Sequence, residues 1–182
     1  PGTKFLRCSF KSSRLLLRSI HCNGSIIMTS GNMIPPLASG EAATALIPQK
    51  EPFVLIDTLV STTTDTFCSA FTIPAEHVLV SNGKLLEAGL IENAAQTAAL
   101  GMGYTAKQQG APPPLGFIGA ISKLAVTGKA AVGDRLETTV IIRYEVMSAR
   151  VLEANVHCGE KLLATMEMKV FIIDPNANGP QG

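Results

Sequence analysis

Among the ionisable side chains of this sequence, Glu92 has the most unusual surroundings. It falls in the run 85–104, LLEAGLIENAAQTAALGMGY, where alanine, glycine and leucine occupy every face. A helix that is apolar all round is one that other elements enclose. The same run is too interrupted to be a membrane span, which needs roughly 20 apolar residues. An ionised carboxylate left alone in such an interior is very costly, so this one must be paired, hydrogen-bonded or protonated. In its protonated form it is a candidate proton donor; as a structural group it is a polar anchor bonded to Gln96 or Asn93. Of the three histidines, His21 lies in a basic N-terminal segment, His157 at an expected hairpin turn and His77 in a loop fifteen residues before Glu92. Cys68 has no paired base or electropositive neighbour and reads as a buried thiol.

The elements that must position Glu92 are readable from pattern. Ser39 can cap a short helix reaching about Leu46, with Glu41 in its first turn and Pro48 ending it. Strand-like runs cover 53–60 and 66–73 with a polar turn between them, so they read as a hairpin. Asn82-Gly83 marks a tight turn just before the helix, which the pattern sets at about 86–105. After the Gln108–Pro114 connector, every segment is strand-like: 115–126, 135–147, 150–157 and 162–173. The last alternates, with Ala164, Met166, Met168, Val170 and Ile172 on one face. This order fits an α+β hot-dog fold, a curved antiparallel sheet wrapped around one long central helix. Such a sheet leaves edges to cover, which makes a homodimer or a higher assembly the natural completion.

Composition narrows the function. Hydrophobic residues make up 46% of the chain, enough for a real core in one domain. Residues 1–33 hold Lys4, Arg7, Lys11, Arg14 and Arg18 and no acid. That leaves ten of the fifteen bases against all fourteen acids in residues 34–182, a formal charge of −4. Bulk charge therefore argues against nucleic acid as a partner. The scattered bases Lys123, Lys129, Arg135, Arg143 and Arg150 read as a solvated surface, with a docking face for an acidic protein as the functional alternative. Cys68 and Cys158 have no metal-type spacing, and neither a zinc site nor a disulfide framework is expected; the body fits a reducing, cytoplasmic setting. The expected organisation is a basic leader over 1–33, disordered or derived from upstream sequence, a folded domain over 34–174 and a flexible tail over 175–182.

Three stretches resemble the 3-hydroxyacyl-[acyl-carrier-protein] dehydratases of fatty-acid synthesis and their relatives in polyene pigment clusters. LIPQKEPFVLID, Leu46–Asp57, is similar to the family's LPHRYPFLLVD, and GLIENAAQ, Gly89–Gln96, to VLIIEALAQ. GFIGAISKLAV followed by VGDRLETTV is similar to a FLAGIDNARF strand and a PGDxLxxxV turn. The resemblance implies dehydration of a 3-hydroxyacyl thioester held on acyl-carrier protein, with no metal or organic cofactor. It places Glu92 on the family's helix glutamate and Gln96 on the glutamine one turn later. It makes His77 the candidate base, although no GHFPG-like loop surrounds it. Gln49 stands where the family has a second histidine, and Glu87 where it has a helix-start glycine. Helix-start N–H groups are expected to bind the developing enolate, and Gly116, Phe117, Ile118 and Gly119 to line an acyl channel, the plain alternative being a core strand with a bulge. An acyl thioesterase of the same fold, with Glu92 activating water, and an inactive acyl-binding or partner subunit are the two alternative functions.

Overall fold

The computed structural model describes residues 35–173 together with a two-rung ladder between β1 (Met28–Thr29) and β2 (Asn32–Met33). The remainder of the expected leader and the expected tail lie outside the described residues. Then follow β3 (Ala38–Ser39), α1 (Glu41–Thr44), β4 (Thr58–Thr62), β5 (Thr66–Thr72) and a small hairpin of β6 (Val80–Ser81) and β7 (Lys84–Leu85). The long helix α2 (Glu87–Gln108) precedes β8 (Leu115–Val126), β9 (Arg135–Val146), β10 (Ala149–Cys158) and β11 (Lys161–Ile173).

Seven strands form one antiparallel sheet in the order β3-β4-β5-β9-β10-β11-β8. It is a hot-dog fold, with the sheet curved around α2. Register shifts between Val151 and Leu152, between Thr165 and Glu167, and between Leu59 and Ser61 insert unpaired residues that bend their strands. In β8 the bulge takes Lys123 to φ 50°, a left-handed conformation. Asn82 and Gly83, at φ 51° and 70°, close the β6–β7 hairpin as the Asn-Gly pair predicts.

The helix is enclosed because its surface is small and apolar. Leu90, Ala94 and Ala98 pack with Leu136, Leu152 and Met168 from the sheet. A second cluster under α1 joins Leu46, Ile47, Ile56 and Leu59 to Leu100. Close approach there depends on glycine: a Cβ on Gly103 would lie 2.1 Å from the Leu46 carbonyl oxygen, and one on Gly101 2.1 Å from the Phe67 ring.

Three sequence expectations are corrected. Ser39 does not cap α1, because its backbone pairs with Thr58 in the sheet; Gly40 is the N-cap, at φ 55°, where glycine is favoured. Residues 53–57 lie before β4, since Gln96 and Asn93 of α2 take the Phe53 carbonyl and both Leu55 backbone groups, and only at Asp57 does the N–H bond across to Ala70. Cys158 carries a free thiol and does not pair with Cys68, which is disulfide-bonded and so is not the buried thiol expected from the sequence. Among the described residues no helix is long and apolar enough to cross a membrane.

Candidate active site

Helix α2 carries a row of polar side chains on its N-terminal half, and each has a defined partner. Asn93, fully buried, donates to the Leu55 carbonyl at 2.6 Å and accepts a short hydrogen bond from Thr138 on β9. Thr97 donates to the Asn93 carbonyl at 2.8 Å and its hydroxyl meets Ser69 of β5 at 2.6 Å. Gln96, also fully buried, accepts from the Leu55 N–H at 2.7 Å. Its amide nitrogen donates to the Phe53 carbonyl at 2.6 Å and to Glu92 Oε1 at 2.8 Å. The extended segment Phe53–Leu55 is thus fastened to the helix by side chains, the lower-cost arrangement for buried backbone groups without a ladder partner.

Glu92 is half-buried. The Gln96 bond fixes one carboxylate oxygen, and no other hydrogen bond reaches the group among the described residues. Glu92 opens on a cavity of about 240 Å³. Pro48 and Gln49 flank it on the side of the preceding loop. Ala95, Ala98, Ala99 and Met102 continue the floor along α2, and Gly116, Phe117 and Ile118 of β8 with Val170 of β11 form the wall. From Glu92 to Met102 the helix rises about 15 Å. The arrangement is one carboxylate at the end of an apolar trough, which suits a reactive polar head with a hydrocarbon chain behind it.

Of the expected site residues, Glu92, Gly116, Phe117 and Ile118 come together around this cavity. Gln96 does not line it and meets it through Glu92. Gly119 does not line the cavity; a Cβ there would lie 2.5 Å from the Phe171 ring that stacks on Phe117. His77 is buried away from the cavity, edge-on to Phe71. Its Nδ1 accepts from the Leu79 N–H at 3.1 Å, so Nε2 carries the proton and donates to the Val54 carbonyl at 3.2 Å. Glu87 and Leu86 line a separate, wider cleft of about 470 Å³ with Lys84 and Lys129, and the two cavities share no residue. The Glu87 carboxylate therefore does not obstruct the Glu92 trough, and the helix start faces a cleft of its own.

The alanine row was not singled out in the sequence, and Asn93 was named only as a partner for Glu92, whereas it bonds to Leu55 and Thr138. The signal was present, because residues 92, 95, 99 and 102 follow the i, i+3, i+7, i+10 spacing of one helix face.

Residues 41–179 match the ApeP-like family, described as ApeP dehydratase. The chain belongs to the ApeP-like dehydratase family. No curated protein matches significantly. Among solved structures, this ApeP-like chain is similar to the dehydratase heterocomplex ApeI:P from Xenorhabdus doucetiae, with a TM-score of 0.67, 16% identity, and 78% of this chain and 93% of that chain covered. It is also similar to smu.793 from Streptococcus mutans, solved with acetyl CoA, at a TM-score of 0.55 and 13% identity, covering 70% of this chain and 95% of that one. A hypothetical thioesterase from Streptococcus pneumoniae, solved with coenzyme A, aligns at 0.52 and 10%, covering 63% and 84%. At these identities the structural likenesses speak for the shared fold.

Proposed function

We propose that this ApeP-like protein dehydrates a 3-hydroxyacyl thioester delivered on acyl-carrier protein, and that Glu92 protonates the departing hydroxyl. The observation that carries the reading is the Glu92 carboxylate, oriented by Gln96 and opening on an apolar trough. Elimination breaks the bond from the α-carbon to hydrogen and the bond from the β-carbon to oxygen. A base takes the α-proton, the protonated carboxyl gives its own to the hydroxyl, and water leaves with a conjugated enoyl thioester behind. His77 is the proposed base. Its Nδ1 lone pair is held by the Leu79 N–H and its Nε2 carries the proton, so this role requires release of the Leu79 N–H and, because His77 lies away from the trough of its own chain, service to the Glu92 trough of a second protomer.

A second hot-dog subunit on β8 would complete the site. This twelve-residue edge strand leaves Leu115, Phe117, Ile121 and Leu124 exposed, and its residues 116–118 are both cavity wall and open surface. A long apolar edge strand is a liability unless paired or covered. The proposed assembly is a dimer or a multiple of it.

The direct test is mass spectrometry of a 3-hydroxyacyl carrier protein incubated with the wild-type protein, Glu92→Gln or His77→Ala. Loss of one water with the wild type alone supports the proposal. Release of free acid identifies a thioesterase instead, and an unchanged mass removes both enzymatic readings.

A further inference from the structure

The Glu92 trough contains a second polar side chain, and this one has no partner among the described residues. The side-chain oxygen of Gln49 is buried and accepts no hydrogen bond among the described residues. Gln49 lines the same cavity as Glu92. An orphaned buried acceptor costs about 1–3 kcal/mol, and nearly all such groups in folded proteins find a partner. The surroundings hold this one in place. Leu46 and Ile47, just before it, are locked in the cluster under α1, and Phe53–Leu55, just after it, are fastened by Gln96 and Asn93. The amide oxygen is therefore an acceptor without a partner, on a residue beside a cavity whose other lining side chains are apolar apart from Glu92.

We infer that Gln49 is a substrate-binding residue, its side-chain oxygen accepting a hydrogen bond from the 3-hydroxyl of the acyl thioester. The inference rests on the dehydration reading. An amide oxygen requires a donor, and the 3-hydroxyl is the donor that has to come within reach of Glu92. The hydroxyl hydrogen would point to Gln49 while the hydroxyl oxygen accepts the Glu92 proton. Both hydrogens then leave on the water, and Gln49 undergoes no net change. The residue holds the leaving group for the acid and favours hydroxylated over saturated chains.

Binding separates this role from simple packing. In a Glu92→Gln background, which suppresses turnover, calorimetry would compare 3-hydroxyoctanoyl and octanoyl N-acetylcysteamine thioesters. Adding Gln49→Leu should weaken the hydroxylated ligand about threefold to tenfold, the worth of one neutral hydrogen bond, and leave the saturated one unchanged. Gln49→Asn, which withdraws the oxygen by one methylene without making the site apolar, should give the same selective loss. Equal weakening of both ligands, or of neither, overturns the inference while leaving the dehydration reading intact. If the background protein binds neither thioester, the dehydration reading fails and the inference falls with it.

Discussion

The side-chain nitrogen of Gln96 lies 2.8 Å from Glu92 Oε1 and 2.6 Å from the Phe53 carbonyl, so one amide orients the candidate acid and fastens the loop beside it. Gln96→Leu would leave the Leu55 N–H and the Phe53 carbonyl without these partners. Each such group costs about 1–3 kcal/mol, so the expected loss is roughly 2–6 kcal/mol of unfolding free energy. Urea denaturation measures it, and a loss below about 0.5 kcal/mol would show that the clamp contributes nothing distinctive.

Glu92→Gln separates chemistry from folding. The new amide oxygen can still accept from Gln96, so stability should move by no more than about 1 kcal/mol. Turnover should fall about a hundredfold to ten-thousandfold, the usual contribution of a positioned acid. A variant that keeps most of its activity in a carrier-protein dehydration assay would remove Glu92 from the mechanism.

Much of this arrangement was legible in the sequence, and the parts that were not share a cause. Glu92 stood out because a carboxylate amid alanine and glycine needs an explanation from its own neighbours. The strands β8, β10 and β11 were visible because long alternating runs have few alternative structures. Residues 53–57 carry the same β-type composition, yet the Phe53 carbonyl and both Leu55 backbone groups bond to Asn93 and Gln96, about forty positions away. Ser39 is a good cap by type, but tertiary pairing with Thr58 decided its conformation. Gln49 appeared only as a departure from a resembling motif. Its orphaned oxygen exists only once α1, α2 and β8 have come together.

Gly103→Ala and Gly101→Ala should both destabilise. Alanine gains about 1 kcal/mol over glycine inside a helix. At Gly103 the new Cβ meets the Leu46 backbone oxygen at 2.1 Å, and at Gly101 it meets Phe67 Cδ1 at 2.1 Å and Phe67 Cβ at 2.7 Å, the root of a buried side chain. Overpacking costs typically about 1–3 kcal/mol and is worst where backbone must move. Both variants should therefore melt below the wild type. A melting temperature at or above that of the wild type for either would show that the facing segment yields at little cost.

The β9–β10 ion pair sets a small pH dependence. Arg143 donates to Glu153 at 2.8 Å, and this hydrogen bond is the main cause holding the Glu153 carboxyl below its ordinary value. A depressed carboxylate stabilises the fold above the ordinary carboxylate range and loses that contribution as pH falls through the folded value. The pair is well exposed and Glu167 faces Glu153 across the ladder, so the contribution should be at most about 0.2–1 kcal/mol. Glu153→Gln should lower the melting temperature slightly at neutral pH, with the difference shrinking in acid and in high salt. A difference that grows on acidification would contradict the sign.

The trough also predicts a ruler for chain length. Ala99 lines its floor one turn before Met102, and leucine there keeps the helix while placing three extra carbons in the cavity. A chain that filled this space would have to withdraw about three methylenes. At ~0.8 kcal/mol for each buried CH2, kcat/KM for the longest accepted substrate should fall about fiftyfold. Shorter substrates, which do not reach Ala99, should be turned over as before, since the Glu92 end of the trough is unchanged. A series of 3-hydroxyacyl thioesters of increasing length, assayed with the wild type and Ala99→Leu, reads this directly. A uniform loss at every length would place the acyl chain elsewhere, because a group on the channel floor must discriminate by length.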